Sequence, residues 1–97
     1  MRQVMVRYRV KPEQVARNEA LVRAVYEELR DAQPSGFRYA TFKLDDGVSF
    51  VHMAFAEGEG NPLAELAAFG EFQQGIAERC EEQPVVSRLE EIGSFGL

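Results

Sequence analysis

Hydrophobic and polar positions follow two different periods along this chain of 97 residues. Over residues 3–10 apolar side chains occupy every second position, a pattern typical of a β-strand. Over residues 13–32 they recur at helical spacing and form an apolar arc opposite a charged face. Asn18 places a polar amide in the middle of that arc. The first third of the chain therefore predicts a strand followed by an amphipathic helix.

The middle of the chain predicts a β-hairpin. Residues 37–44 and 48–56 are rich in β-branched and aromatic side chains, as strands are. They flank Asp45-Asp46-Gly47, and Asp-Gly between two such runs is typical of a two-residue type I′ turn.

The length of that turn decides the neighbours of the single histidine. A two-residue turn at Asp46-Gly47 places His52 opposite Thr41, with Tyr39 as a diagonal neighbour on the same face. A three-residue loop would place His52 opposite Ala40 instead. We prefer the two-residue turn because it separates polar from apolar residues.

Helical spacing returns in the last third of the chain, with interruptions by glycine. Asn61-Pro62 has the form of an N-cap followed by a proline in the first turn. We predict a short turn at 62–67 and a helix at 69–81, with a bend between them and Cys80 on the apolar face of the helix. A last strand at 85–92 follows Pro84.

The order βαββαβ predicts an α+β fold, a ferredoxin-like sandwich with an antiparallel four-stranded sheet, in a single domain over residues 1–97. Two helices cover only one face of such a sheet. The run 48–56 is nonetheless apolar on both faces, since Val51, Met53 and Phe55 alternate with Phe50 and Ala54. A strand with one wet face should alternate clearly. We therefore expect a homodimer that packs sheet face on sheet face.

Composition and charge argue against several classes of protein. The 16 acidic residues exceed the 11 Lys and Arg and give a net charge of −5, whereas a nucleic-acid binder needs a basic face. No apolar run approaches the roughly 20 residues of a membrane span. One cysteine and one histidine do not make a metal-ligand set. We expect a cytoplasmic protein without metal, nucleic-acid or membrane partners.

The candidate chemistry lies at the centre of the hairpin. His52 ionises near neutral pH and can abstract or return a proton. A cluster of His52, Tyr39 and Thr41 in an apolar strand suits a small aromatic or oxygenated ligand, and Asn18 can point into the same cavity. The alternative is structural: His52 and Asn18 are core or interface groups whose hydrogen bonds are satisfied by their neighbours.

Three segments carry a resemblance to a known family. They are the strand with VRYRVKP at 6–12, the hairpin at 37–56, and AFGEF at 68–72 in a bent helix before the last strand. Together they resemble the antibiotic biosynthesis monooxygenase (ABM) superfamily. The resemblance implies a dimeric α/β barrel in which two ferredoxin-like sheets pack face to face. That family includes cofactor-independent oxygenases acting on anthrones and quinols, haem-degrading enzymes and isomerases.

The chain departs from the better-known sites of that family. It has no tryptophan, and neither predicted helix carries a histidine that could bind haem iron. We therefore expect no cofactor. The leading hypothesis is a cofactor-independent monooxygenase acting on a phenolic or quinone-like aromatic substrate, with His52 as catalytic base. Asn18, Tyr39 and Thr41 are the expected ligand-binding residues. The alternatives are a non-catalytic ligand-binding or assembly module of the same fold, and an isomerase that uses His52 as base.

Overall fold

The computed structural model describes residues 1–96, which form a four-stranded antiparallel sheet with helices on one face. The elements are β1 (Arg2–Val10), α1 (Val15–Ala32), β2 (Phe37–Lys43), β3 (Ser49–Ala56), α2 (Ala67–Gln73), α3 (Ile76–Arg79) and β4 (Cys80–Arg88). Single 3-10 turns at Pro12–Gln14 and Pro62–Glu65 precede α1 and α2. The strand order β2-β3-β1-β4 confirms the predicted ferredoxin-like α+β fold. No helix within residues 1–96 is long and apolar enough to cross a membrane.

The alternation along β1 separates a buried face from a charged one. Tyr8 and Val10 are buried and pack with Leu21 and Val25 of α1. Each such apolar side chain contributes roughly 1.5–3 kcal/mol to the free energy of unfolding when it is fully buried. On the other face Arg9 lies 3.1 Å from a carboxylate oxygen of β4. The central strand is therefore fixed to α1 through its even-numbered residues.

The hairpin has the predicted register. In the pairing of β2 with β3, Thr41 lies opposite His52, and Ala40 lies opposite Met53. The alternative register, with His52 opposite Ala40, is therefore excluded. Since the side chains of paired residues share a face, Thr41 and His52 lie on the same side of the sheet.

The turn itself is longer than predicted. Four residues separate Leu44 from Ser49, and the Leu44 N–H donates to the Ser49 carbonyl over 2.8 Å. Positive φ within the turn is confined to Gly47, at 78°. The carboxylate of Asp46 accepts hydrogen bonds from the backbone N–H groups of Val48 and Ser49 and from the Ser49 hydroxyl. These bonds provide partners for the backbone N–H groups of the wider loop. The loop contains one more residue on each side than the predicted two-residue turn, so the register of the two strands is unchanged.

The last third of the chain departs from the predicted boundaries. The predicted helix at 69–81 is wrong, because Gly75 has φ 78° and separates α2 from the single turn of α3. Cys80 is the first residue of β4, so the prediction that it lies on a helix face is also wrong. Pro84 lies within β4 and does not open it. A proline is tolerated there because β4 is an edge strand with a register shift beside it.

The two faces of β3 have different surroundings. Phe50 and His52 are buried beneath the helices. Val51, Met53 and Phe55 point to the opposite face, where no helix covers them, and each is only partly buried. The apolar character of both faces, noted in the sequence, therefore corresponds to one covered and one open face.

Candidate functional site

A cavity of about 370 Å³ lies between the sheet and the segment that carries α2 and α3. This volume falls in the range typical of small-molecule sites. Much of the lining is apolar and includes Val6, Phe37, Leu63, Phe69, Phe72 and Ile76. The side chains of Tyr8, Tyr39 and His52 also line it and supply polar atoms. The cavity is thus an apolar space with a small set of neighbouring polar groups.

The imidazole of His52 is held between tyrosine hydroxyls. Its Nε2 lies 2.8 Å from the hydroxyl of Tyr8, and its Nδ1 lies 2.6 Å from the hydroxyl of Tyr39. The hydroxyl of Thr41 is 3.1 Å from the same Nδ1. Because the side chain is only 5% exposed, these hydroxyls satisfy both ring nitrogens in the absence of bulk water.

Strand register brings these groups together. His52 pairs with Val6 of β1 on one side and with Thr41 of β2 on the other. Tyr8 and Tyr39 are two residues along from those partners, so all these side chains project from one face toward the helices. The tilted Tyr8 and Tyr39 rings lie 5.3 and 5.8 Å from the imidazole centre.

Asn18 extends the network behind the cavity. It is fully buried, and its Nδ2 donates to the hydroxyl of Tyr8 over 2.9 Å. Its Oδ1 accepts from Nε of Arg79 over 3.2 Å. The guanidinium also donates to the carbonyl oxygens of Phe72 and Gln74, at 2.7 and 3.1 Å. Within residues 1–96 this cation forms no ion pair and is bound in the core through amide and carbonyl oxygen atoms.

All four residues predicted from the sequence, Asn18, Tyr39, Thr41 and His52, belong to one hydrogen-bond network, but only some of them reach the cavity. His52 and Tyr39 line the cavity, whereas Asn18 and Thr41 do not. Thr41 is joined on its far side to Tyr26 over 2.8 Å. Each of the four contacts at least one other network residue directly.

Sequence reasoning missed two members of the network. The alternation over residues 3–10 places Tyr8 on the apolar side of β1, although a buried phenol needs a partner for its hydroxyl. In the sequence Arg79 looks like an ordinary exposed charge near the end of a helix, because nothing around it except Cys80 suggests burial. The phenol could have been recognised from sequence, whereas the arginine could not, because its contacts depend on the bend at Gly75.

Burial controls the charge of the network. It lowers the pKa of His52 from 6.5 to about 4, so the imidazole is neutral at pH 7. It raises the pKa of Tyr8 and of Tyr39 well above the usual value of a phenol, so both hydroxyls keep their protons. The network next to the cavity therefore has an unoccupied proton site flanked by neutral phenols.

Nothing within residues 1–96 groups three or more His, Cys, Asp or Glu side chains in a way that could hold a metal ion. The polar groups of the cavity are phenols, amides, one imidazole and one guanidinium from Arg2. Groups of these kinds form hydrogen bonds and transfer protons.

No family model matches the sequence. No curated protein matches it either. Solved structures do match over nearly the whole chain. One described as an antibiotic biosynthesis monooxygenase has a TM-score of 0.71 and 19% identity, covering 96% of this chain and 100% of its own. The chain has the antibiotic biosynthesis monooxygenase fold.

Two further structures agree with this assignment. Rv0793 from Mycobacterium tuberculosis has a TM-score of 0.75 and 17% identity, with 96% of each chain covered. SnoaB, a cofactor-independent oxygenase from Streptomyces nogalater, has a TM-score of 0.71 and 13% identity, with 99% of this chain and 97% of its own covered. At these identities the ABM likeness is one of fold.

Because His52 is buried in its neutral form, we predict that the free energy of unfolding depends on pH. The pKa of His52 is about 4 in the folded chain and near 6.5 in the unfolded chain, so on acidification the unfolded chain binds the proton first. The free energy of unfolding should therefore fall by about 3 kcal/mol between pH 6.5 and pH 4, at 1.36 kcal/mol per pKa unit. Urea denaturation at several pH values measures it, and His52→Gln should abolish this part of the decrease.

Asp46→Asn is the matched control. Hydrogen bonds from Ser49 and Val48 lower the pKa of Asp46 to about 2, so its contribution to the pH dependence of stability lies below about pH 4. The control should therefore reproduce the wild-type decrease between pH 6.5 and 4. An identical decrease in His52→Gln would show that the histidine is not the group responsible.

Proposed function

We propose that this chain is a cofactor-independent monooxygenase that acts on a phenolic or quinone-like aromatic substrate bound in the cavity. The observation that carries the proposal is the pair of tyrosine hydroxyls on either side of a neutral, buried His52 in an otherwise largely apolar cavity. The fold is the one of SnoaB, which is described as a cofactor-independent oxygenase.

The cavity suits a flat, apolar ring system. Phe37, Phe69 and Phe72 contribute aromatic faces and edges to its lining. Phe72 lies 5.4 Å from the imidazole of His52, measured between ring centres, and is tilted against it by 45°. An aromatic ligand bound against these side chains gains roughly 25 cal/mol per Å² of apolar surface removed from water. Its oxygen substituent then lies near the tyrosine hydroxyls, which are the polar groups next to those rings.

Proton removal from the substrate begins the reaction. His52 is neutral and can accept a proton, but both of its ring nitrogens are bonded to hydroxyl groups. The substrate proton therefore reaches His52 through a tyrosine hydroxyl that lines the cavity. Burial lowers the pKa of the free imidazole, but the negative charge formed on the substrate favours the imidazolium and offsets this effect.

The electron-rich anion then reacts directly with dioxygen. In a substrate whose hydroxyl is the enol form of a ketone with a CH₂ group, deprotonation places negative charge on that carbon, which keeps one hydrogen. Dioxygen adds there, the O–O bond breaks, and one oxygen atom remains as a carbonyl. The second oxygen atom leaves as water, with the hydrogen of that carbon and the proton held by His52. Carbon is oxidised, dioxygen is reduced, and the electrons balance without a further reductant. The chain supplies the proton acceptor and hydrogen bonds to the developing oxyanion.

A second candidate function is a non-catalytic ligand-binding or assembly module. It is favoured by the fact that both nitrogens of His52 are already bonded within the chain, as in a structural histidine. An isomerase would use the same proton transfer to and from His52 without oxygen. The three functions differ in what happens to a bound aromatic ligand.

We also propose that the protein is a homodimer that pairs through the open face of the sheet. Val51, Met53 and Phe55 of β3 lie on that face. On the flanking strands Phe42 and Val85 are 55% and 63% exposed on the same side. Arg7 of β1 is exposed between Val51 and Val85, so apolar side chains lie on either side of one charged residue. Exposed apolar patches are typical of interaction surfaces.

Oxygen uptake with a panel of hydroquinones and anthrones tests the enzymatic proposal. Wild type should show saturable uptake without any added cofactor. His52→Gln should lower the rate about a hundredfold, which is typical for loss of a general base. Asp46→Asn, in the distant turn, should behave as wild type.

Each other outcome contradicts the monooxygenase proposal in a defined way. Equal uptake by wild type and His52→Gln would remove His52 from the chemistry. Micromolar binding of the ligands, seen by calorimetry without turnover, would establish the binding module. Conversion of a substrate to an isomer without oxygen uptake would establish the isomerase.

Sedimentation equilibrium tests the dimer. The wild-type protein should have twice the chain mass of 10.9 kDa at micromolar concentration. Phe42→Glu should produce a monomer, because it places a charge in a desolvated interface. Ile92→Glu changes an equally apolar residue that is 90% exposed beyond β4, and should leave the dimer intact. A wild-type monomer would contradict the proposal.

A further inference from the structure

We infer that Arg79, acting through Asn18, determines which nitrogen of His52 carries the proton. The two tyrosine hydroxyls beside the imidazole thereby receive different roles. Arg79 is a positioning residue in this account, since it does not line the cavity. The position of the proton follows from counting the donors and acceptors of each residue along the network, from Arg79 to His52.

The first step fixes the amide of Asn18. A guanidinium has only donors, so the atom of Asn18 next to Arg79 Nε must be the amide oxygen. Arg79 is 6% exposed and is held by the carbonyl oxygens of Phe72 and Gln74. It therefore has a fixed orientation, and the NH₂ group of Asn18 must point to the hydroxyl of Tyr8.

The second step fixes the hydroxyl of Tyr8. Its oxygen accepts a hydrogen bond from Asn18, so its own hydrogen needs an acceptor elsewhere. Nε2 of His52 lies 2.8 Å away. Tyr8 is 1% exposed, and a buried donor without a partner is strongly destabilising. Tyr8 therefore donates to Nε2, which carries no proton.

The third step follows from the neutral charge of His52. With Nε2 unprotonated, its single proton lies on Nδ1 and is donated to Tyr39 over 2.6 Å, with Thr41 as a weaker acceptor at 3.1 Å. The hydroxyl hydrogen of Tyr39 is then not used by His52, and the neighbouring hydroxyl is that of Thr41. Since Tyr39 lines the cavity, its hydroxyl is available as a donor to a bound ligand.

The consequence for catalysis rests on the proposed function. Tyr39 donates to the substrate oxygen and stabilises its negative charge. Tyr8 carries the proton: it takes the substrate's proton on its oxygen while its own proton passes to Nε2 of His52. The imidazolium that forms has its Nδ1 proton bonded to Tyr39 and Thr41. The imidazole separates the hydroxyls of Tyr8 and Tyr39, so the substrate class is an aromatic with two conjugated oxygen substituents, one for each phenol.

Nitrogen NMR of the imidazole tests the inference without any substrate. His52 is the only histidine, so its two ring nitrogens are assigned without ambiguity from long-range proton–nitrogen correlations. At pH 7.5 the wild-type spectrum should show a protonated Nδ1 and an unprotonated Nε2. The opposite tautomer in wild type would overturn the inference at once.

Asn18→Asp should reverse the tautomer. The introduced carboxylate has only acceptors at this pH, so it takes the hydrogen bonds of both Arg79 and Tyr8. The oxygen of Tyr8 then accepts from His52, and the proton moves to Nε2. Arg79→Met should increase the fraction of the Nε2-protonated tautomer, because the amide of Asn18 can then rotate and place its oxygen toward Tyr8. Arg23→Met, at an exposed position of α1, is the matched control and should leave the ratio unchanged.

An unchanged tautomer in a folded Asn18→Asp protein would overturn the inference, and circular dichroism establishes the folding. A merely structural role of Arg79 would lower stability without reversing the tautomer. Because the spectrum is recorded without ligand, the inference can fail while the oxygenase activity is found. The activity can likewise be absent while the tautomer is as inferred.

Discussion

The hydrogen bond between the hydroxyl of Tyr8 and Nε2 of His52 is the contact on which the candidate site depends. It joins the two central strands on the helix side of the sheet and connects the cavity to the buried amide of Asn18. An imidazole in this position would be costly without partners, since burial already lowers its pKa to about 4. The hydrogen bonds with the phenols offset the loss of hydration when a neutral base is buried in the core. The same phenols bring the base into contact with the cavity.

The cavity exists because the second helical segment is broken. Gly75 adopts a left-handed conformation, so α2 and α3 do not continue as one rod across the sheet. The carbonyl groups that the break leaves free include that of Gln74, and Arg79 donates to it. The bend, the buried cation and the amide of Asn18 thus form one connected structure. This explains how an arginine that has no ion pair among residues 1–96 is stabilised in the core.

The sequence is sufficient for the fold and for four of the six network residues, all but Tyr8 and Arg79. Alternation in β1, the register at the hairpin and the apolar arc of α1 are local patterns, and the structure contains each of them. His52, Tyr39 and Thr41 could be grouped because strand register is a local property. The end of α2 and the start of β4 could not be predicted from sequence. Apolar residues keep helical spacing through residues 69–80, but the left-handed conformation of Gly75 ends the helix within that segment. The role of Arg79 could not be predicted either, since its partner Asn18 lies 61 residues away in the chain.

The most direct test of the account is a crystal structure of the protein with a hydroxylated aromatic that does not react with oxygen, such as a naphthol. The account predicts that the ligand fills the cavity with its ring against Phe72. Its oxygen should lie within hydrogen-bond distance of the hydroxyl of Tyr39, with the contact between Tyr8 and His52 retained. A ligand bound on the open sheet face, or in the cavity with its oxygen away from both tyrosines, would contradict the account.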